Sequence, residues 1–249
     1  MASESEREQY PKTRHFLAGR LRHDMSEAEK AELENLAGNI QTFEDGHRLI
    51  SRGDECEYST MLVEGFMLRT PECEDRRYGV SFHVPGDFVD LHCFALKRLD
   101  HNIDCVGPTT VAQIPHDGIA RIMQEKPHLA RLFWFSTLLD AAMHREWIFR
   151  LGRLNAEGRI AHLISEIIER HKFVGLYDGR TLPVSLLQRD YAEACGITSV
   201  HANRSFRVLK ERGVLELRGE GRIEILDEAE LKRLGEFEGA AVYPRSWVC

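Results

Sequence analysis

The residues with the clearest chemistry lie between Thr198 and Arg212, where polar side chains recur at helical spacing. Asn203 and Arg204 belong to the polar outer face of this stretch, and a recognition helix meets the base edges of a DNA major groove with such a face. Four cations face a single acid in this stretch: Arg204, Arg207, Lys210 and Arg212 against Glu211. The chain as a whole has a net charge of −7. The local cations therefore indicate site-specific rather than non-specific binding of nucleic acid.

Two short helices must position these side chains. The segment from Leu186 to Cys195 predicts the first helix and the segment from Thr198 to Arg212 predicts the second. The small Ala192 lets the helices approach each other, and Gly196 supplies the positive φ of a tight turn. Thr198 is a favourable N-cap for the second helix.

On the second helix, three apolar residues point inward at helical spacing: Ala202, Phe206 and Leu209. The outward residues near its N-terminal half are those that meet base edges in a recognition helix: Ser199, Val200, Asn203, Arg204 and Arg207. Two short strands, Val214 to Leu217 and Arg222 to Leu226, then predict a β-wing. The pattern favours a DNA-binding helix-turn-helix over an ordinary helical hairpin.

The preceding chain predicts a β-domain. Helices are expected at about 12 to 22 and after Ser26, which begins a capping box with Glu29. From about 40 to 116, short apolar runs separated by glycine and proline predict an antiparallel jelly roll. Gly65 and Gly107 stand between runs and are expected to separate strands.

A long helix is predicted from Pro127 to about Leu154, with a length on the order of 40 Å. Apolar residues cover more than one side of this helix. One stripe contains Leu132, Phe135, Leu139, Ala142 and Phe149, and a second set lies outside it: Trp134, Leu138, Ala141 and Ile148. The second side is expected to contact the same helix of another subunit; burial within a monomer is the alternative. Asn155 then caps a helix to about His171.

The order of these parts resembles the Crp/Fnr superfamily of winged-helix transcription regulators. The resemblance rests on Pro85-Gly86-Asp87-Phe88, the long helix, Gly158-Arg159-Ile160-Ala161, and the helix-turn-helix with its TSVHANR sequence. It implies an α+β fold with three parts. These are N-terminal helices and a cyclic-nucleotide-binding-like β-roll (1–126), a dimerisation helix (127–154) and a winged helix-turn-helix domain (155–249).

The resemblance also implies roles for single residues. Ser199, Val200, Asn203 and Arg204 match base-reading positions, with Arg204 donating to guanine. Val200 stands where family members carry a glutamate, so the operator is expected to differ there. Four residues match phosphate-contacting positions, which fix register rather than sequence: Gln188, Thr198, His201 and Arg207.

The effector pocket is harder to predict. The corresponding run contains Asp90, His92, Cys93, His101 and Asn102. Asp90 stands at the family's glutamate position, and Asp100-His101-Asn102 stands where an arginine-serine pair would hold a cyclic phosphate. Two acids without that arginine make a poor anion site, which disfavours cyclic AMP. The sequence predicts no cofactor and no metal site; haem or another metal stays open through His83, His92, Cys93 and His101.

Other function classes find little support. The chain lacks the run of roughly 18 to 20 apolar residues that a membrane helix needs and an apolar signal segment, so a cytoplasmic protein is expected. The six cysteines have no metal-binding spacing. We expect a non-enzymatic regulator that binds a near-palindromic operator as a homodimer, with RNA polymerase as a potential further partner. The alternatives are a cupin-like metal enzyme, whose ligand motif is missing, and a ligand or haem sensor whose helix-turn-helix contacts protein.

Overall fold

The computed structural model describes residues 4–38, 40–71, 79–184 and 186–239. The chain forms two compact units, which divide within its longest helix. The first unit ends at Asp140 and the second begins at Ala141. The first contains an antiparallel sheet with helices beside it, and the second is mainly helical. The predicted α+β class is confirmed.

The first unit begins with helical segments and continues into the sheet. Its described helices are α1 (Glu4–Gln9), α2 (Glu27–Leu36), α3 (Cys93–Leu96) and α4 (His116–Glu125). Its strands are β1 (Ile40–Phe43), β2 (Arg48–Ile50), β3 (Tyr58–Thr70), β4 (Ser81–His83) and β5 (Asn102–Pro115). The sheet order is β1-β5-β3-β4, and β2 also pairs with β5. All these pairings are antiparallel.

The two long strands differ from the prediction. The expected separation at Gly65 is wrong, since β3 runs through this residue and pairs with an equally continuous β5. The register shifts on both sides of Glu64, and the second shift, between Glu64 and Phe66, spans Gly65, which marks a β-bulge. Gly65 has a φ of +93°, and a Cβ there would lie 2.6 Å from the Pro108 carbonyl oxygen. The glycine thus permits a bend where two backbones nearly touch.

The expected helix at about 12 to 22 is also wrong. This segment forms consecutive turns, with bonds such as Phe16 N–H to the Thr13 carbonyl and Ala18 N–H to the His15 carbonyl. Leu17 has a φ of +53°, which is incompatible with a continuous right-handed helix. The predicted capping box of α2 is confirmed, because Ser26 and Glu29 exchange both hydrogen bonds.

Two apolar cores hold the first unit together. One packs β3 against α4 and the first half of α5 (Pro127–Arg153) and includes Phe16, Phe88 and Phe133, whose rings meet edge to face. The other core contains Leu62, Met67, Val89, Cys93, Leu99, Ile103, Cys105 and Val111. Because successive β3 residues enter different cores, both faces of this strand are buried.

The second unit contains α6 (Ala156–Val174), α7 (Gln188–Ala194), α8 (Ser199–Glu211), β6 (Leu215–Leu217), β7 (Ile223–Ile225) and α9 (Glu228–Leu234). Asn155 caps α6 by accepting from Gly158 N–H at 2.8 Å, as predicted. The inner face of α6 is buried: Ile160, Leu163, Ile164 and Ile167. Strands β6 and β7 pair antiparallel as the predicted wing. Among the described helices, none is long and apolar enough to cross a bilayer.

Candidate nucleic-acid interface

The helix pair α7–α8 is joined by a tight turn at Gly196. This glycine has a φ of +62°, in the left-handed region that favours glycine. The turn is closed by Ile197 N–H, which donates to the Ala192 carbonyl at 3.0 Å. Ala192 is 1% exposed, so a larger side chain would force the helices apart. The predicted roles of Ala192 and Gly196 in the turn are confirmed.

The start of α8 is fixed by its cap and its buried face. Thr198 Oγ1 accepts from His201 N–H at 3.2 Å, which confirms the predicted N-cap. Ala202, Phe206 and Leu209 are fully buried. The Phe206 ring meets Tyr191 of α7 edge to face, with centroids 5.2 Å apart. These contacts set the rotation of α8 and therefore decide which residues it exposes.

The residues predicted to contact DNA lie on the opposite face. Seven of them are exposed, namely Thr198, Ser199, Val200, His201, Asn203, Arg204 and Arg207, while Gln188 is half-buried at the start of α7. Val200 keeps 64% of its surface exposed. An exposed apolar side chain beside polar ones can pack against a thymine methyl group.

Two of the polar side chains already have partners. Asn203 Nδ2 donates to Gln188 Oε1 at 3.1 Å, which links the exposed faces of α8 and α7. Arg207 lies 3.6 Å from the Glu211 carboxylate one turn later on α8. Both pairs are exposed, so each contributes little free energy to the fold. Either pair can open, and its side chains can contact a ligand instead.

The wing carries a feature that the sequence analysis missed. Glu216 and Glu224 stand directly opposite each other in the β6–β7 pairing. Arg218 lies between them, at 2.8 Å from Glu216 and 3.0 Å from Glu224. Since like charges in this position repel each other, Arg218 reduces the repulsion, and Arg180 adds a second cation at 3.2 Å from Glu224. Arg218 is therefore less available to a phosphate than its exposure suggests.

Two arginines stabilise the end of α7 and were also missed. Arg150 Nη2 donates to the Ala194 carbonyl, and Arg159 Nη1 donates to the Cys195 carbonyl, both at 3.0 Å. Cations at a helix C-terminus satisfy its unpaired carbonyls and its dipole. The sequence signal was Arg150 at a buried position of an otherwise apolar helical face.

A buried aromatic residue completes this support. The Arg150 guanidinium stacks over the Trp147 ring at 4.1 Å, and Trp147 Nε1 donates to Glu166 Oε2 at 2.7 Å. Both Trp147 and Glu166 are buried. Because an unmet buried acceptor is costly, this hydrogen bond locks the ring in place.

Trp147→Phe is expected to lower the free energy of unfolding by about 1 to 3 kcal/mol, since Glu166 loses a buried donor. Urea unfolding followed by circular dichroism measures the effect. Tyr58→Phe is the matched control, because it removes a polar atom from an exposed aromatic residue and should change little. Equal free energies of unfolding for Trp147→Phe and wild type would show that the hydrogen bond from Trp147 to Glu166 does not stabilise the fold.

In the first unit, the residues predicted for the effector pocket have different environments. Asp90 is fully buried, and its Oδ1 accepts from Thr60 N–H. Asn102 is buried and accepts from Arg52 N–H at 2.8 Å. Cys93 lies in the second apolar core. Of the five, His92 and His101 are brought together, with ring centroids 5.3 Å apart.

A buried cation close to these groups was not predicted. Arg69 is 4% exposed, donates through Nε and Nη2 to the Val89 carbonyl, and forms an ion pair with Asp140. Burial, with a further contribution from the Arg69 charge, lowers the pKa of His92 to about 4. Burial also lowers the pKa of His101. The His92 imidazole is therefore neutral at pH 7.

Asp90 predicts a measurable pH dependence. Burial raises the pKa of Asp90 to about 7. The folded chain therefore keeps a proton that the unfolded chain loses near pH 4, and folding loses this contribution as the pH rises to about 7. Asp90→Asn cannot ionise, so its free energy of unfolding should increase relative to wild type over this range and run parallel above it.

Urea unfolding at several pH values between 4 and 8 measures this difference. Parallel profiles of Asp90→Asn and wild type would show that Asp90 ionises normally in the folded chain.

Comparison with known proteins agrees with this geometry. Residues 158–234, from α6 to α9, match the Crp-like helix-turn-helix domain. The transcriptional activator protein FnrL of Cereibacter sphaeroides is 28% identical over 197 residues, which is 77% of this chain and 78% of FnrL. The nitrogen fixation regulation protein FixK of Bradyrhizobium diazoefficiens is 28% identical over 209 residues, covering 83% and 86% of the two chains.

The fold is also found among solved structures. The structure of FixK2 from Bradyrhizobium japonicum superimposes with a TM-score of 0.71 at 20% identity, covering 79% of this chain and 96% of FixK2. A Crp/Fnr family regulator from Thermus thermophilus, TTHA1359, gives a TM-score of 0.64 at 18% identity, covering 80% of this chain and 99% of that one. Residues 158–234 therefore carry a Crp-like helix-turn-helix domain, and about four fifths of the chain is similar to the regulators FnrL and FixK.

Proposed function

We propose that two copies of this chain bind a near-palindromic site in double-stranded DNA, each with the N-terminal half of α8 in the major groove. The observation that carries this proposal is the division of α8 into two faces. Phe206 and its neighbours are buried, whereas the polar residues and Val200 are exposed at the end that would enter the groove. In a dimer of this kind, the half-sites lie about 34 Å apart, one helical turn of DNA.

Four residues are proposed to read bases: Ser199, Val200, Asn203 and Arg204. Arg204 donates to guanine, and Val200 packs on a thymine methyl group in place of the polar contact that a glutamate would make. Asn203 needs its amide free to bind a base edge, so its bond to Gln188 opens or is shared in the complex. Gln188 thereby orients Asn203 in the free protein.

A second group is proposed to contact phosphates: Gln188, Thr198, His201 and Arg207. Thr198 and His201 lie at the N-terminus of α8, where the helix dipole favours an anion. Arg207 exchanges its exposed pairing with Glu211 for a phosphate. These contacts fix the register of the protein on DNA without reading sequence.

The dimer is proposed to form along α5. Between Arg131 and Ile148, the spacing of its exposed residues alternates between three and four: Arg131, Trp134, Leu138, Ala141, Arg145 and Ile148. This is the heptad spacing of a helix that pairs with a second helix. Trp134, Leu138 and Ile148 are 65%, 51% and 71% exposed, which is a large apolar area for one helix. A second copy of α5 would bury these residues. We call Trp134, Leu138, Ala141 and Ile148 the α5 seam.

The first unit is proposed to receive a signal other than cyclic AMP. A cyclic phosphate needs a free cation, but Arg69 already binds a carbonyl and the Asp140 carboxylate, and Asp90 is close by. We propose no catalytic step, because the protein acts through binding. Whether it also contacts RNA polymerase depends on where the operator lies.

A signal in the first unit is proposed to act through rotation of the DNA-binding units around paired α5 helices. This rotation would shift the population between arrangements that can bind the operator and arrangements that cannot.

Selection of bound fragments from genomic DNA tests the proposal. The full chain is incubated with sheared DNA, and the retained fragments are sequenced and footprinted. We expect two inverted half-sites protected one helical turn apart. Retention without a common sequence, or with a single half-site, would contradict the dimeric mode of reading.

A further inference from the structure

Three side chains of the first unit form a cluster with metal-binding chemistry. His92, Asp100 and His101 each offer one ligand atom, and these atoms all lie within 4.8 Å of one another. His92 immediately precedes α3, and the other two residues immediately precede β5. The two imidazole rings are 5.3 Å apart at their centroids and inclined by 39°. The sheet and α3 therefore bring these ligands together without a long flexible loop.

The hydrogen bonding of His101 leaves one ring nitrogen unused. Its Nδ1 lies 2.7 Å from Asp100 Oδ1. Its Nε2 is buried and has no hydrogen-bond partner among the described residues. A buried polar atom without a partner costs about 1 to 3 kcal/mol, so its persistence calls for a ligand or another compensation.

The charge around the cluster is compatible with a cation. Asp100 supplies a negative charge, and its side chain is 81% exposed. Arg69, a buried cation close to the cluster, is partly offset by its ion pair with Asp140. The two imidazoles and one carboxylate suit first-row transition ions, whereas Mg²⁺ and Ca²⁺ prefer sites built mainly from oxygen ligands.

We propose that His92, Asp100 and His101 bind a divalent first-row transition ion of the Zn²⁺ type. Three protein ligands leave a coordination position open to water or to a small ligand. The site lies in the first unit and its occupation does not rest on the proposed binding of DNA. It would give this unit a ligand whose chemistry differs from that of a cyclic nucleotide.

Metal titration of the full-length protein tests the proposal. Chelator-stripped protein competes with a chromogenic chelator for Zn²⁺, and Co²⁺ serves as the spectroscopic probe. We expect one Zn²⁺ per chain at this site, with no displacement by millimolar Mg²⁺. Loss of an orienting partner alone costs about 10- to 100-fold in affinity, so His92→Gln and His101→Gln should weaken binding at least 100-fold.

Two further variants make the result specific. Asp100→Asn changes an exposed side chain, so it should leave folding intact while lowering Zn²⁺ affinity about 10-fold or more. His23→Gln is the matched control, because His23 also lies beside a carboxylate, at 3.1 Å from Asp24, but has no second histidine in its cluster. Equal Zn²⁺ affinity in wild type, His101→Gln and Asp100→Asn would overturn the proposal, as would equal losses in His23→Gln.

Discussion

Arg204→Ala is expected to abolish discrimination between the operator and other DNA while leaving the fold and the dimer unchanged. A bidentate contact to guanine contributes about 1 to 3 kcal/mol, which corresponds to about 5- to 150-fold in affinity at each half-site. Because a dimer makes this contact twice, the total loss is expected to be about twice as large in free energy. Arg204 is exposed, so its truncation should not disturb the packing of Phe206 or Leu209.

Fluorescence anisotropy with operator and scrambled duplexes measures this effect. Arg207→Ala is the informative comparison, because loss of a phosphate contact should weaken both duplexes alike and reduce the salt slope by about one for each site. If Arg204→Ala retained wild-type preference for the operator, Arg204 would not read a base.

Leu138→Glu is expected to convert the protein into a monomer. Leu138 lies in the middle of the α5 seam and is 51% exposed in the single chain. In a dimer, the substitution would bury two unpaired carboxylates against each other, which costs several kcal/mol. A loss of about 4 kcal/mol corresponds to roughly a thousandfold weaker dimerisation. Operator affinity should fall with it, because a monomer reaches a single half-site.

Analytical ultracentrifugation over a range of concentrations measures the oligomeric state. Leu176→Glu is the control, since Leu176 is 44% exposed but lies outside α5. Sedimentation of Leu138→Glu as a wild-type dimer would place the subunit contact elsewhere, and a monomeric wild type would contradict the proposed dimer.

The sequence was sufficient to predict the features that depend on local chemistry. The N-caps at Ser26, Asn155 and Thr198, the turn at Gly196 and the wing strands all follow from short-range rules, and each is confirmed. The inner face of α8 was also predicted, because helical periodicity separates buried from exposed positions.

The features that the sequence did not predict depend on long-range packing. From local sequence alone, a glycine between two apolar runs predicts a turn. That β3 continues through Gly65 becomes clear only from the close approach of the Pro108 backbone. Leu17 is buried and has a positive φ, which no local rule anticipates. Arg69 and Arg150 stand in apolar segments, and their partners come from distant parts of the chain.

The candidate sites show the same division. The eight residues expected to contact DNA could be predicted as one group because they lie on adjacent helices. The five pocket residues could not, since Asp90, Cys93 and Asn102 are used in the structure of the unit itself. The sequence left His92 and His101 open as metal ligands, but their actual pairing across α3 and the turn after it needed coordinates.

The salt dependence of DNA binding tests the central claim most directly. The affinity of the full chain for the selected operator and for random duplex is measured from low to moderate salt. We predict that the logarithm of the affinity falls steeply and linearly with the logarithm of salt concentration, and that the operator binds at least about 1,000-fold more tightly than random duplex. Absence of DNA binding even at low salt, or equal affinity for both duplexes, would contradict the assignment of α8 as a sequence-reading helix.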